Sequence, residues 1–389
     1  MKVALVSELV DSATLPRGTS AGDCTNGVAD TAAPVCQEAL VSVIIPCYNS
    51  EMFLEEAIGS AMAQTYSPVE IIVVDDGSTD HSPEIAQRLP VRYIRQPNSG
   101  LAASRNLGIR ESKGSYIVFL DADDRLKPEA IETGVRILAQ RPQYGMAVGD
   151  HLFVSQNGSY LAPSRKNCPP AFHYEALLRS NFIEMVSTVL FRRSVLEEAR
   201  GFDTRFRVSE DYELYLRVAR AHSIYCHPAI VAEYRIHESN ISRNAELMLI
   251  TTLRVLRSQA PFVRGDFRRL SAFLDGLRTW RKKYGRRLTV ELAHSSSTLQ
   301  PKQRRRKLLL LADHYPQGLM MLLLYRIMPG LGKRAAVIRG QHGNEGSPSS
   351  SRAVAYQNAA RAHSTTRTWL LGTMEKKQRP AEHSVQKHA

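Results

Sequence analysis

No stretch of this 389-residue chain approaches the run of about 18 apolar residues that a membrane-crossing helix requires, so no spanning segment is expected. Neither a G-x-G-x-x-G turn nor a G-x-x-x-x-G-K-[ST] loop follows any of its apolar runs, which withholds support from a Rossmann dinucleotide site and from a P-loop. Cysteine is sparse: Cys24, Cys36, Cys47, Cys168 and Cys226 are odd in number, widely separated and without metal-ligand spacing. That pattern argues against a zinc module and for a reducing compartment, with the five structurally incidental. The opening MKVALVSELVDS has a brief apolar stretch broken by acids and followed by no cleavage site, so no signal peptide is expected. Acids are also short in supply, 38 Asp and Glu against 51 Lys and Arg, for a net charge of +13 and a pI of about 9.6. Such an excess asks for an anionic partner: a nucleotide, a nucleic acid or an acidic membrane surface. Apolar content, 43%, is ordinary and at this length suffices for one large or two ordinary domains.

The acids that are present gather in informative places. In SYIVFLDADDRL an unbroken apolar run from Tyr116 to Leu120 ends on Asp121, Asp123 and Asp124. The run reads as a strand covered on both faces, and ligands of such sheets bind at the carboxyl ends of the strands. Carboxylates crowded there repel one another unless a hard cation neutralises them. Mg²⁺ or Mn²⁺ is commonly held by one or two carboxylates together with substrate phosphates; a solvated loop or a helix N-cap ahead of Lys127-Pro128 would look the same in sequence.

Three similar strands precede this one: VSVIIP from Val41, Ile71 to Val74, and VRYIRQ. Each leads through turn residues into a helical pattern. Cys47-Tyr48-Asn49-Ser50 precedes Phe53, Leu54, Ala57, Ile58 and Ala61; Asp75-Asp76-Gly77-Ser78 precedes Thr79 or Asp80 as a helix cap; Asn98-Ser99-Gly100 precedes Ala102, Ala103, Arg105, Asn106 and Ile109. Strands alternating with helices over about a hundred residues argue a mainly parallel sheet, with Tyr48, Asp76 and Asp123 along one edge, where a nucleotide would lie. Further on, YGMAVGDHLFVS reads as a strand, Gln156 to Ser159 as a hairpin turn, and MVSTVLFRRSVLEEARGFD as a strand and short helix. SEDYELYLRVARAH is a helix with Leu214, Val218 and Ala221 on one side and Ser209 as N-cap; Glu210 and Asp211 fall in its first turn, where acids oppose the helix dipole. His237, near the end of a strand in IVAEYRIHESNISR, reads by itself as an ordinary surface or core residue.

Taken in order, VSVIIPCYN, QTY, VEIIVVDDGSTD, QPNSGLAASRNLGI, YIVFLDADD, TVLFRRSVLEEARGFD, SEDYELYLRVA and YRIHESNIS resemble the family 2 glycosyltransferases, inverting enzymes that use nucleotide-sugar donors. The resemblance spans about Val41 to Arg243, roughly half of the chain. It implies the type-A glycosyltransferase fold, a Rossmann-like α/β architecture with a mainly parallel sheet flanked by helices. It further implies that Pro46, Tyr48 and Asn49 border the base and ribose and that Asp76 hydrogen-bonds the base, most readily the uracil of a UDP-sugar. Asp121 would face the sugar-nucleotide, and Asp123 would hold a Mn²⁺ or Mg²⁺ bridging the diphosphate. Asp211 would be the base that takes the acceptor's proton, and His237 stands where some type-A enzymes place a metal or diphosphate contact. The Gln-X-X-Arg-Trp element of processive synthases is missing, with Trp280 in an unrelated RTW context, so addition of one sugar or a few is expected.

From Ala245 to Gly340 the pattern is helical and Arg and Lys outnumber acids about four to one. RRRK at 304–307 precedes interrupted apolar pieces too short to span, suited either to lie at an anionic membrane interface or to pack on the catalytic domain. No recognition module supports nucleic acid. The expected organisation is a flexible leader over 1–40, a catalytic domain over 41–243, a basic, mostly helical extension over 244–340 and a disordered tail over 341–389 with a short helix at Thr368 to Lys376. The expected function is sugar transfer to a glycan or lipid-linked acceptor in surface polysaccharide or glycolipid synthesis, in the cytoplasm or on the inner face of the membrane. The alternatives are an inactive nucleotide-sugar-binding scaffold and a nucleotidyltransferase.

Overall fold

The computed structural model describes residues 38–164, 168–294 and 299–327; the leader, save for residues 38–40, and the tail expected over 341–389 lie outside these. The opening third alternates as its sequence requires. β1 (Val41–Cys47) is buried at every position and is followed by α1 (Leu54–Met62), β2 (Val69–Asp75), α2 (Ser82–Arg88), β3 (Arg92–Arg95), α3 (Leu101–Glu111) and β4 (Tyr116–Phe119). Side chains alternate across a strand. Ile44, Ile72, Ile117 and Phe119 therefore enter one core, and Val43, Ile45, Val73 and Val118 another on the opposite face. Each such side chain fully withdrawn from water contributes about 1.5–3 kcal/mol. α3 presses against β1 through Gly108, where a Cβ would come within 2.2 Å of Ile44 Cγ2.

β1 to β4 are mutually parallel in the order β3-β2-β1-β4. The chain steps outward from β1 to β3 and then returns to the other side of β1, so the strand order reverses between β1 and β4. A crevice opens at the carboxyl ends of strands at such a reversal. The tips there carry Pro46 to Asn49 and Asp121 to Asp124.

The chain continues with β5 (Arg125–Leu126), α4 (Ala130–Gln140), β6 (Tyr144–Ser155), β7 (Tyr160–Pro163), α5 (His173–Arg179), β8 (Val189–Arg192), α6 (Arg193–Glu198), α7 (Glu210–Ala221) and β9 (Ser223–Ile236). The sheet extends from β4 through β8, β6 and β9 to β5, with β7 on β6. β8 runs antiparallel to β4 and to β6, whereas β6 and β9 are parallel. The parallel quartet is thus one half of a mixed nine-stranded sheet.

α8 (Ala245–Ser258), α9 (Ala260–Val263), α10 (Phe267–His294), α11 (Pro301–His314) and α12 (Pro316–Ile327) complete the described chain. Leu249, Leu253, Leu256, Phe273 and Trp280 join the same core as Leu177, Leu214 and Tyr215, so α8 and α10 close over α5 and α7. Among the described residues no helix is long and apolar enough to cross a membrane.

Two expectations are corrected. Cys168 and Cys226 form a disulfide, so they are not incidental and the cysteine argument for a reducing compartment does not hold; disulfides persist where the surroundings are oxidising. Ser209 stands at the N-cap position of α7 but makes no capping hydrogen bond. With φ at +61°, its hydroxyl lies 3.5 Å from Thr252 Oγ1 instead.

Candidate active site

The turn after β1 is laced to the turn after β2. Asn49 N donates to Ser78 Oγ at 3.0 Å and Thr79 N to Asn49 Oδ1 at 2.8 Å, while the Tyr48 ring stays half exposed. The N-cap position of α2 falls to His81, which makes no side-chain capping bond, rather than to Thr79 or Asp80; Asp80, one residue earlier, accepts from Ser82 N at 3.0 Å. Asp76 is buried, and its carboxylate accepts from Gln96 Nε2 at 2.7 Å, Ser99 N at 2.8 Å and Gly100 N at 2.8 Å. Two oxygens offer about four acceptor positions; three of them hold the loop ahead of α3, and about one remains.

At the tip of β4 the carboxyls are crowded. Arg105 Nη2 donates to Asp121 Oδ1 at 2.6 Å. Asp123 Oδ2 lies 2.9 Å from His237 Nε2, and that ring is oriented by Ser239 Oγ 2.8 Å from Nδ1. Asp124 accepts from Arg235 N at 2.9 Å. The buried Arg235 guanidinium donates to Asp123 O at 2.9 Å and to Gln156 O at 2.7 Å, and pairs with Glu56 at 2.7 Å. Burial, with Asp123 and Asp121 adding to it, pushes the Asp124 carboxyl well above its ordinary range. Burial raises Asp121 too, although Arg105 opposes it.

The residues present fit a divalent cation. Among the described residues no group of three His, Cys, Asp or Glu stands ready to hold one. Asp123 supplies the single carboxylate that Mg²⁺ or Mn²⁺ can use when substrate phosphates complete its shell, with the His237 ring beside it.

α7 brings the second acidic group. Glu210 accepts from Arg105 Nη1 at 2.5 Å, and Asp211 Oδ1 accepts from Tyr212 N at 2.7 Å. Burial raises both carboxyls despite Arg105, Glu210 to about 7. One guanidinium therefore bonds two acids, Asp121 and Glu210, and acts on Asp211 through its charge alone. An acid held near neutrality can exchange a proton at ambient pH.

All eight residues singled out from sequence, Pro46, Tyr48, Asn49, Asp76, Asp121, Asp123, Asp211 and His237, line one cavity of about 1310 Å³. Sequence reasoning gave Arg105 no role beyond its helix. Its signal was available: Ala102, Arg105 and Gly108 recur at the spacing of a buried stripe on α3, and an Arg on such a stripe demands acidic partners. Trp280, Lys283, Tyr284 and Arg287 of α10, also on the cavity wall, carried no local signal.

Residues 42–200 match the family described as Glycosyl transferase family 2. An uncharacterized glycosyltransferase of Rickettsia bellii is 32% identical over 215 residues, which are 52% of this chain and 31% of that protein; the chain thus spans less than a third of that relative. One of Haemophilus influenzae is 30% identical over 228 residues, 56% of this chain and 87% of that protein. Among solved structures, S. aureus TarS 1-349 has a TM-score of 0.51 at 17% identity, covering 79% of this chain and 98% of its own. The same protein in complex with UDP-GlcNAc has a TM-score of 0.50 at 18% identity, covering 70% and 80%. These two likenesses are of fold. With a relative matched over nearly its whole length and a family match that takes in β1 through α6, the chain belongs to glycosyl transferase family 2.

Proposed function

We propose that this protein transfers a sugar from a nucleotide-diphosphate donor to an acceptor hydroxyl with inversion, adding one sugar or a few to a surface glycan or glycolipid. The observation that carries the reading is the meeting, in one cavity, of the β1 and β2 turns, the Asp123 and His237 pair and the half-buried acid Asp211. Pro46, Tyr48 and Asn49 border the base and ribose, and the remaining acceptor position on Asp76 is offered to the base. Binding of UDP-GlcNAc by the similarly folded TarS favours a UDP-sugar. Asp123 and His237 would hold a Mn²⁺ or Mg²⁺, which when bound neutralises charge on the departing diphosphate.

Asp211 accepts the proton of the acceptor hydroxyl. The hydroxyl oxygen forms its bond to the anomeric carbon on the face opposite the diphosphate, and the carbon–oxygen bond to the diphosphate breaks, leaving a nucleoside diphosphate. Arg105 holds Asp121 and Glu210 in place and so ties the donor side of the cavity to the acceptor side.

The far helices fit attachment to an anionic membrane face. Leu309, Met320, Leu323, Leu324 and Ile327 are exposed, as are Lys302, Arg304 and Arg305 on α11. Apolar side chains beside cations suit the lipid headgroup region.

The test is a panel of nucleotide-sugars offered to purified protein with and without Mn²⁺, following thermal stability and released nucleoside diphosphate together. Metal-dependent stabilisation by one donor with slow release of its diphosphate is expected. A folded protein that responds to no nucleotide-sugar would sink the reading.

A further inference from the structure

At about 1310 Å³ the cavity exceeds the roughly 300–1,000 Å³ of an ordinary small-ligand site, and part of its wall comes from beyond the strand tips. α10 contributes Trp280, Lys283, Tyr284 and Arg287. Trp280 Nε1 lies 3.4 Å from the Tyr212 hydroxyl as its donor, so this wall adjoins the residue after Asp211. The Trp280 and Tyr284 rings stack with centroids 5.5 Å apart and 9° between their planes. Lys283 Nζ stands 5.0 Å from the Trp280 centroid, and Arg287 Cζ 5.8 Å from that of Tyr284.

Residues four apart on a helix are neighbours, and like charges so placed repel. Here the negative faces of two aromatic rings hold the pair in position. Both cations are exposed, and among the described residues neither forms an ion pair. Glu184, which lines the same cavity, acts on Lys283 through its charge without an ion-pair contact and lies 3.8 Å from His151. The one hydrogen bond of the Arg287 guanidinium among the described residues goes to Arg243 O at 3.2 Å, leaving further donors. Two adjacent cations with donors to spare, fixed on an aromatic floor, match the charge and acceptor count of a phosphate.

We propose that Lys283 and Arg287 form a phosphate subsite for the sugar acceptor, so that the acceptor bears a phosphate close to the hydroxyl that reacts at Asp211. Its identification as the acceptor's subsite rests on the transferase reading above. The donor's diphosphate is the other source of the same chemistry, and the Asp123 and His237 pair at the strand tips is the place for that.

The probes are α-D-glucose 1-phosphate, methyl α-D-glucoside and UDP with Mn²⁺, titrated into the full chain. Trp280 fluorescence is the readout, isolated by Trp369→Phe because the chain has two tryptophans. The sugar phosphate is expected to perturb Trp280 and the neutral glucoside not to. Lys283→Gln with Arg287→Gln is expected to weaken the sugar phosphate on the order of tenfold or more while leaving UDP affinity unchanged. Lys282→Gln, the same charge removed from α10 off the cavity, serves as control and is expected to do nothing. Equal weakening by Lys282→Gln, or sugar-phosphate binding indifferent to the double variant, overturns the subsite. A loss of UDP affinity in its place assigns the cations to the donor and overturns the acceptor proposal. Sugar-phosphate binding that depends on both cations, in a protein that binds no nucleotide, supports the subsite and overturns the transferase reading, so the two failures are told apart.

Discussion

Arg105 reaches Glu210 at 2.5 Å across 105 residues of sequence, and its other terminal nitrogen reaches Asp121 at 2.6 Å. The side chains of Arg105 and Glu210 are 2% and 4% exposed, so that pairing is made away from water, where removing one partner of an ion pair costs far more than the pair itself contributes. Arg105→Met would leave the buried Glu210 carboxyl and the partly exposed Asp121 carboxyl with no cation between them. Expected is a loss of about 3–5 kcal/mol in denaturant unfolding, and Arg105→Lys should recover only part of it because an ammonium cannot serve both acids in the same fork. A near-neutral Arg105→Met would mean that α7 and the tip of β4 are held together by packing alone.

The acids around Arg105 also set a pH dependence. Glu210 has its folded pKa raised from 4.5 to about 7 by burial, so the folded chain holds this proton more tightly than the unfolded chain. The associated stability is fully present below the unfolded value and is lost as pH rises through about 7. Asp121 and Asp211 are raised as well and act in the same direction. Melting temperature should therefore fall between about pH 5 and pH 8, and Glu210→Gln should flatten the fall without abolishing it. An unchanged slope in Glu210→Gln would assign the effect to other groups.

Asp123 and His237 are separable from stability. Asp123 keeps 31% of its side chain exposed and pairs with His237 at 2.9 Å, so Asp123→Asn removes charge with little loss of packing. Metal-dependent thermal stabilisation by nucleotide should disappear, while the melting temperature without metal stays within a few degrees. His237→Gln should weaken the metal response by about 10–100-fold. Retention of the full Mn²⁺ response in Asp123→Asn would place the cation elsewhere.

Asp211 is the acid whose loss should touch transfer and spare binding. Asp211→Asn preserves shape and still accepts from Tyr212 N, so donor affinity is expected to hold while transfer falls by roughly 10²–10⁴-fold. Equal loss of both would show that Asp211 positions the donor rather than receiving the acceptor's proton.

What could be read from sequence followed from local pattern. The apolar run Tyr116 to Leu120 and the acids after it are contiguous, so the strand and its tip are both visible in one window, and the repeated strand–turn–helix pattern placed Tyr48, Asp76 and Asp123 along one edge. The burial of Arg105 could be read from its stripe on α3, but its partners could not, because Asp121 and Glu210 arrive at one point only in the fold, which no window contains. The Cys168 and Cys226 disulfide, 58 residues apart, was hidden for the same reason. In α10 the helical period shows which residues share a face but not what the face meets, so Trp280, Lys283 and Arg287 read as part of a basic helix. The antiparallel half of the sheet depends on pairing partners that alternation alone does not name.

The placement of α10 can itself be tested at Gly276. A Cβ there would come within 1.8 Å of Leu178 O, a backbone atom at the end of α5, and 3.4 Å of Leu256 Cδ1 in α8. Backbone cannot yield as a flexible side chain would, so Gly276→Ala must push α10 away from α5. Better helix propensity would add about 1 kcal/mol at an open position, but overpacking costs about 1–3 kcal/mol or more, and the cost should win. The same displacement would draw Trp280, one turn further along, off Tyr212. Gly276→Ala is therefore expected to lower stability and to shift Trp280 fluorescence together, whereas Gly265→Ala, outside α10 with no atom within 4 Å of its Cβ but φ at +82°, should cost stability without the spectral change. A Gly276→Ala protein as stable as the parent, with Trp280 unaltered, would mean that α10 does not approach α5 this closely and that its face is not fixed on the cavity.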